Sequence, residues 1–235
     1  MNNSLQSTVE RLSEEIFEKV VEYRKHIHQH PELSYQEFET MNYISKQLKT
    51  LGIPHETGVA ETGIVALIEG KHHKKGEPCI ALRADIDALP IQEENNTPYK
   101  SLNDGVMHAC GHDVHTSVLL GAAEILMDIK DELPQPVKLI FQPGEEKNPG
   151  GASLMIKAGC LSDPEVKEMY ALHVFADMPV GNIGTKEGLY MASCDEVYID
   201  VFGKSGHGAT PHETVDSILV GAEIITSLQQ IVSRK

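Results

Sequence analysis

Met107-His108-Ala109-Cys110-Gly111-His112-Asp113-Val114-His115 gathers a thiol, three imidazoles and a carboxylate into nine positions. The run that follows, Thr116 to Met127, is apolar enough for a buried helix, so the cluster sits at a helix N-terminus. That position favours thiolate and carboxylate. A second cluster, Phe141-Gln142-Pro143-Gly144-Glu145-Glu146, ends a strand over Val137 to Phe141. A third, Asp85-Ile86-Asp87, ends a strand over Cys79 to Arg83. Open α/β sheets carry their chemistry just past the carboxyl ends of buried strands, and that is the fold these stretches predict.

Taken singly, each of these residues has a structural reading. A lone cysteine among apolar residues is usually a small core hydrophobe, and Asp87 reads equally well as a turn acid, a helix cap or a functional carboxylate. Clustering changes the reading. Gly111 removes a side chain where the backbone must bend around an ion. Thiolate and imidazole suit zinc, manganese, cobalt or nickel far better than magnesium or calcium. Two adjacent carboxylates beside a cation divide naturally into one ligand and one base, and adjacency alone does not say which is which. The stretch reads as the site of a metal-dependent hydrolase.

Outward from this centre, apolar residues at Val9, Leu12, Ile16, Val20 and Ile27 predict a helix ending before Pro31. His26, His28 and His30 at its end occupy alternate positions, which do not share a helix face, and read as a solvated terminus. A second helix runs from about Gln36 to Leu51, with Gly52 as its stop. Gly63 to Ile68 is a β-branched strand, and Asn95 to Val106 a polar loop. A short helix is expected over Ala152 to Ala158. Met169 to Phe175 reads as an apolar strand with His173 buried inside it. A strand over Glu196 to Phe202, a loop from Gly203 to His212 and a helix from about Val215 complete the chain. That loop lacks the spacing of a phosphate-binding loop.

The sequence has 235 residues, 40% of them hydrophobic and 23% charged, as expected of a soluble globular protein. A formal net charge of −15 argues against nucleic acid or an anionic membrane surface as partner. No apolar run approaches the length of a spanning helix, and the polar N-terminus has no signal-peptide pattern. Cys79, Cys110, Cys160 and Cys194 are scattered and suggest no disulfide framework, so a cytoplasmic location is expected.

With these residues assembled, the chain resembles the N-acyl-amino-acid amidohydrolases: hippurate hydrolase, aminoacylase, indoleacetyl-amino-acid hydrolases and N-acetyldiaminopimelate deacetylase, within the zinc-dependent exopeptidases. The match runs through His28-Gln29-His30-Pro31-Glu32-Leu33-Ser34, Arg83 to Pro90, Met107 to His115, Phe141 to Glu146, Ala171-Leu172-His173 and Gly206-His207. The resemblance implies an α/β fold, a zinc-exopeptidase-like catalytic domain with a mixed sheet flanked by helices. It further implies the start of an inserted α+β lid domain, with residues 1–182 catalytic and 183–235 lid and dimerisation. Cys110, His112, Glu146 and His173 are implied as ligands of two divalent transition-metal ions, manganese, zinc, cobalt or nickel. Glu145 is implied as general base and Asp85 as a supporting catalytic acid residue. His207, supplied by the partner subunit of a homodimer, could reach the developing oxyanion. The substrate would be a small N-acyl amino acid. Family members are longer, so a remaining lid portion and one more metal-binding histidine are expected beyond Lys235. A dipeptide exopeptidase with the same machinery, or a metal-binding chain without turnover, are the alternatives.

Overall fold

The computed structural model describes residues 3–191 and 195–232. Cys194, one of the scattered cysteines, lies outside them; Cys79, Cys110 and Cys160 are free thiols. The chain divides into two units, residues 1–179 and 180–235.

The first unit is built on a mixed five-stranded sheet in the order β1-β2-β4-β3-β5. The strands are β1 (His55–Val59), β2 (Gly63–Ile68), β3 (Cys79–Asp85), β4 (Val137–Gln142) and β5 (Val166–Ala171). β1, β2 and β4 pair antiparallel, whereas β3 runs parallel to both β4 and β5. The helices are α1 (Asn3–Gln29), α2 (Phe38–Thr50), α3 (His112–Asp128) and α4 (Gly151–Lys157). Two apolar clusters cover the sheet. The larger joins Ile44 and Leu48 of α2, Leu120 and Ala123 of α3, and Ile64, Leu139 and Phe141 of the strands. The smaller sets Ala81 and Ile140 against Met155 of α4. β4 is buried at every position, as a central strand covered on both faces must be.

Lys138 is the polar exception in that strand. Its Nζ donates to the carbonyls of Cys160, Ser162 and Pro164 at 2.9, 2.8 and 2.9 Å, so a buried ammonium fastens the loop that leads into β5.

In the first unit one strand was missed and three expectations need correction. β1 was not foreseen, because His55-Glu56-Thr57-Gly58-Val59 has almost no apolar period and exists as a strand by pairing with β2. β5 spans Val166–Ala171, not Met169 to Phe175, since its pairing with β3 ends at the Arg83–Ala171 register. His173 is therefore exposed and lies past the strand. The alternate histidines of α1 are not uniformly solvated: His28 is buried, with Nδ1 2.8 Å from Asp113 and Nε2 3.2 Å from Glu93. Both partners arrive from distant sequence, which helix periodicity does not report.

The second unit holds α5 (Ser217–Val232), a 3₁₀ turn at Pro211–Glu213 and an isolated bridge between Lys204 and Val215. Residues 195–202 form no strand. A strand exists only where a neighbour takes up its N–H and C=O groups, and among the described residues of this unit only the Lys204–Val215 bridge does so.

Candidate metal centre

The carboxyl ends of β3, β4 and β5 and the N-terminus of α3 converge. Asp85 closes β3 and Asp87 follows it; Glu145 and Glu146 follow β4; His173 follows β5; His112 opens α3 and Cys110 lies just before it. Three groups of potential ligands result, each with donor atoms within 4.8 Å of one another: Cys110, His112 and His173; His112, Glu145 and Glu146; Asp85, His112 and His115. His112 is common to all three.

Hydrogen bonding fixes which ring nitrogen of each histidine is free. His112 Nδ1 faces the Asp87 carbonyl at 2.9 Å and the Asp87 carboxylate at 3.1 Å. Both are acceptors, so Nδ1 carries the proton and Nε2 holds a lone pair. That Nε2 is buried without a hydrogen-bond partner among the described residues, as is Glu146 Oε1, 3.8 Å away. His173 Nδ1 donates to the Val174 carbonyl at 2.7 Å, leaving its Nε2 lone pair 3.4 Å from Cys110 Sγ. The two buried orphaned atoms, His112 Nε2 and Glu146 Oε1, are costly unless a cation collects their lone pairs. The donor set, one sulfur, two imidazole nitrogens and carboxylate oxygens, fits a transition metal.

The charges lead to the same conclusion. Burial, with the nearby Glu146, Glu145 and Asp85 carboxylates, pushes the Cys110 thiol up to about 12. Burial likewise raises Glu146. Burial is the larger cause for Cys110 and the neighbouring carboxylates add to it; a bound cation would favour the thiolate instead.

Asp87 is buried and fully engaged. Besides His112, it accepts from Ser34 Oγ at 2.7 Å and from the backbone N–H of Glu146 at 3.0 Å. It thus ties the His112 ring to the loop bearing the glutamates. That loop is shaped from below: Glu37, buried under it, accepts the Gly144 N–H at 2.9 Å, and the Tyr35 hydroxyl donates to the Lys147 carbonyl at 3.0 Å. Gly144 has φ +54, and a Cβ there would strike the Tyr35 ring. Glu145 projects into solvent, whereas Glu146 is largely covered.

Asp85 is placed differently from Asp87. It accepts from Arg83 Nη1 at 2.7 Å and from His115 Nδ1 at 2.6 Å. Burial pushes its carboxyl up, but the His115 hydrogen bond and the Arg83 charge hold it down at about 2. His108 is buried with neither ring nitrogen partnered among the described residues, and burial pulls it to about 4, a neutral ring. His207 belongs to the second unit, where it is exposed and its Nδ1 accepts the Ala209 N–H at 3.1 Å.

Sequence reasoning left Asp87 undecided and missed His115. The signal for His115 was available: His112 and His115 lie three apart on a helix and share a face. His28, Glu93 and Asp113 form a buried charged group behind the centre, which Arg24 joins through its 3.0 Å contact with Asp113.

Comparison with known proteins identifies the family. Residues 81–222 match the model of peptidase family M20/M25/M40. The chain is 46% identical to YhaA of Bacillus subtilis (strain 168) over 233 residues, 99% of this chain and 58% of that protein. It is 41% identical to the N-acyl-L-amino acid amidohydrolase of Geobacillus stearothermophilus over 226 residues, 96% of this chain and 60% of that one. The crystal structure of Bacillus subtilis YXEP, described as a dinuclear metal-binding peptidase of the M20 family, superposes with a TM-score of 0.69 at 43% identity. That match covers 74% of this chain and 48% of YXEP. The chain thus spans about 60% or less of the length of these relatives. A match over more than half the sequence, with a parallel-strand edge carrying the clustered ligands, makes this chain a member of peptidase family M20/M25/M40.

Proposed function

We propose that the protein hydrolyses the amide bond of N-acyl amino acids, giving a carboxylic acid and a free amino acid. The observation that carries this reading is the unpartnered His112 Nε2 and Glu146 Oε1, buried beside Cys110 and His173, whose own Nε2 faces the Cys110 sulfur at 3.4 Å. Relatives named as N-acyl-L-amino acid amidohydrolase and N-acetyl-L-cysteine deacetylase support the substrate class. YXEP supports two ions, and the thiol and imidazole donors favour manganese, zinc, cobalt or nickel. Held by Cys110, His112, Glu146 and His173, those ions would supply Lewis acidity to the scissile carbonyl and acidify the attacking water.

The chain's own residues divide the remaining work. Glu145, exposed beside the cluster, takes the proton of the attacking water and returns it to the departing amine. Glu146, covered and 3.8 Å from His112 Nε2, is suited to be a ligand. Asp87 holds His112 in its ligating tautomer, and Asp85 supports the site through Arg83 and His115. For His207 we infer a role as donor to the developing oxyanion, contributed across a homodimer in which residues 183–235 form part of a lid. The test is turnover of N-acetyl and N-benzoyl amino acids, with dipeptides alongside, by protein loaded with manganese, zinc, cobalt or nickel. Hydrolysis of acyl amino acids abolished by Cys110→Ser or His112→Ala is the expected result. Cleavage of dipeptides alone would make the protein an exopeptidase, and no turnover with any metal would overturn the assignment.

A further inference from the structure

His115 differs from the other two rings of the cluster in where its lone pair goes. Its Nδ1 lies 2.6 Å from Asp85 Oδ1, an acceptor, so the proton sits on Nδ1. Its Nε2 lies 3.0 Å from the backbone N–H of Val174, which can only donate, so Nε2 accepts. The tautomer is set from both sides, and both nitrogens are occupied by protein. Asp85 is in turn anchored in the sheet: Oδ2 accepts from Arg83 Nη1, and Arg83 Nε donates to Gln142 of β4 at 2.9 Å. Thr116 Oγ1 donates to the Asp85 carbonyl at 2.8 Å. A continuous series of hydrogen bonds therefore runs from β4 and β3 through His115 to the peptide that follows His173.

A second contact fixes the same peptide independently. Gly111 has φ +86, and a Cβ there would overlap Val174 Cγ2. The Val174 side chain thus occupies the space that the missing Gly111 side chain leaves. His173 stands between the end of β5 at Ala171 and this doubly held residue.

We propose that His115 is a positioning residue: by holding the Val174 amide, it sets where His173 presents its Nε2 beside Cys110. Asp85, His112 and His115 have donor atoms close enough to share an ion, but His115 Nε2 is committed to the Val174 amide and its Nδ1 to Asp85. The assignment rests on the reading of His173 as a metal ligand, and the experiment below separates the two.

The variants are His115→Phe, which removes both bonds; His115→Gln, which keeps an acceptor near the Nε2 position; and Gly111→Ala, which displaces Val174 with His115 unchanged but also strains the backbone between Cys110 and His112, so only its Val174 exchange is read. Hydrogen exchange over residues 172–176 is measured on each and cobalt titration on the His115 variants, with His112→Ala as the reference for loss of a ligand. In His115→Phe and Gly111→Ala the Val174 amide exchanges on the order of tenfold faster. In His115→Phe cobalt affinity falls roughly 10- to 100-fold while stoichiometry at saturation is unchanged. His115→Gln stays near the parent in both. Nitrogen-15 correlation in the parent finds the His115 proton on Nδ1. Unchanged Val174 exchange in His115→Phe, a proton on Nε2, or one ion fewer at saturating cobalt in both His115 variants overturns the proposal. If His115→Phe does not fold, Gly111→Ala and the parent tautomer carry the test. A parent that binds no cobalt but shows a protected Val174 amide refutes the metal reading and leaves the clamp standing.

Discussion

Asp87 meets the Nδ1 proton of His112 twice, with its own backbone carbonyl at 2.9 Å and its carboxylate at 3.1 Å. The same carboxylate accepts the Glu146 N–H. One buried side chain thereby orients a ring nitrogen and the backbone of a neighbouring carboxylate residue. Outer partners of this kind fix ligand tautomer and orientation, and their loss costs about 10- to 100-fold in metal affinity. Asp87→Ala is expected at the upper end of that range and Asp87→Asn, which retains a carbonyl oxygen, at the lower end. Competition titration against a metal-sensitive dye measures both; affinity equal to the parent in Asp87→Ala contradicts the arrangement.

The two glutamates differ in exposure, and their variants should differ in kind. Glu145→Gln keeps its shape but cannot accept a proton, so metal content holds while turnover drops on the order of 100- to 10,000-fold. Glu146→Gln removes a charged donor, so metal content falls and added metal partly restores activity. Metal analysis together with steady-state kinetics checks this. The opposite pattern reverses the roles.

Hydrogen bonding to Asp113 raises His28 above its ordinary value; burial opposes this, and the Glu93 contact adds to it. A group whose folded pKa is raised stabilises fully below its unfolded pKa, about 6.5. That stabilisation fades as pH climbs through the raised folded value. The difference in melting temperature between the parent and His28→Gln should be largest near pH 6 and shrink towards pH 9, in roughly that interval. Thermal melts across this range decide it; a gap that widens with pH refutes the sign.

Lys138→Met removes the ammonium that three carbonyls share. Each buried acceptor left without a donor costs about 1–3 kcal/mol. A loss on the order of 3 kcal/mol or more is therefore expected in urea denaturation, with the slope unchanged. Stability within about 0.5 kcal/mol of the parent would show that the loop repacks around methionine.

The sequence alone determined the α/β architecture with a mixed sheet and the residue types that cluster at the centre. Cys110, His112, Glu145 and Glu146 lie in two short strings, and ligand type is a property of the side chain that needs no fold to be read. Strands β2, β3 and β4 and helices α2 and α3 were legible for a related reason: each carries in its own residues the apolar run or period that its burial needs. Only the tertiary structure decided the rest. β1 is a strand because β2 pairs with it, and β5 stops where β3 stops pairing. Asp85 and Asp87, two residues apart and chemically identical, take different ring nitrogens as hydrogen-bond partners, His115 Nδ1 and His112 Nδ1. His28 became a buried ion partner because Asp113 and Glu93 reach it from 85 and 65 residues away. Which nitrogen of an imidazole is free depends on the acceptor opposite the other one. That acceptor is a long-range contact for His112 and His115, so their ring chemistry is settled only when the chain has folded.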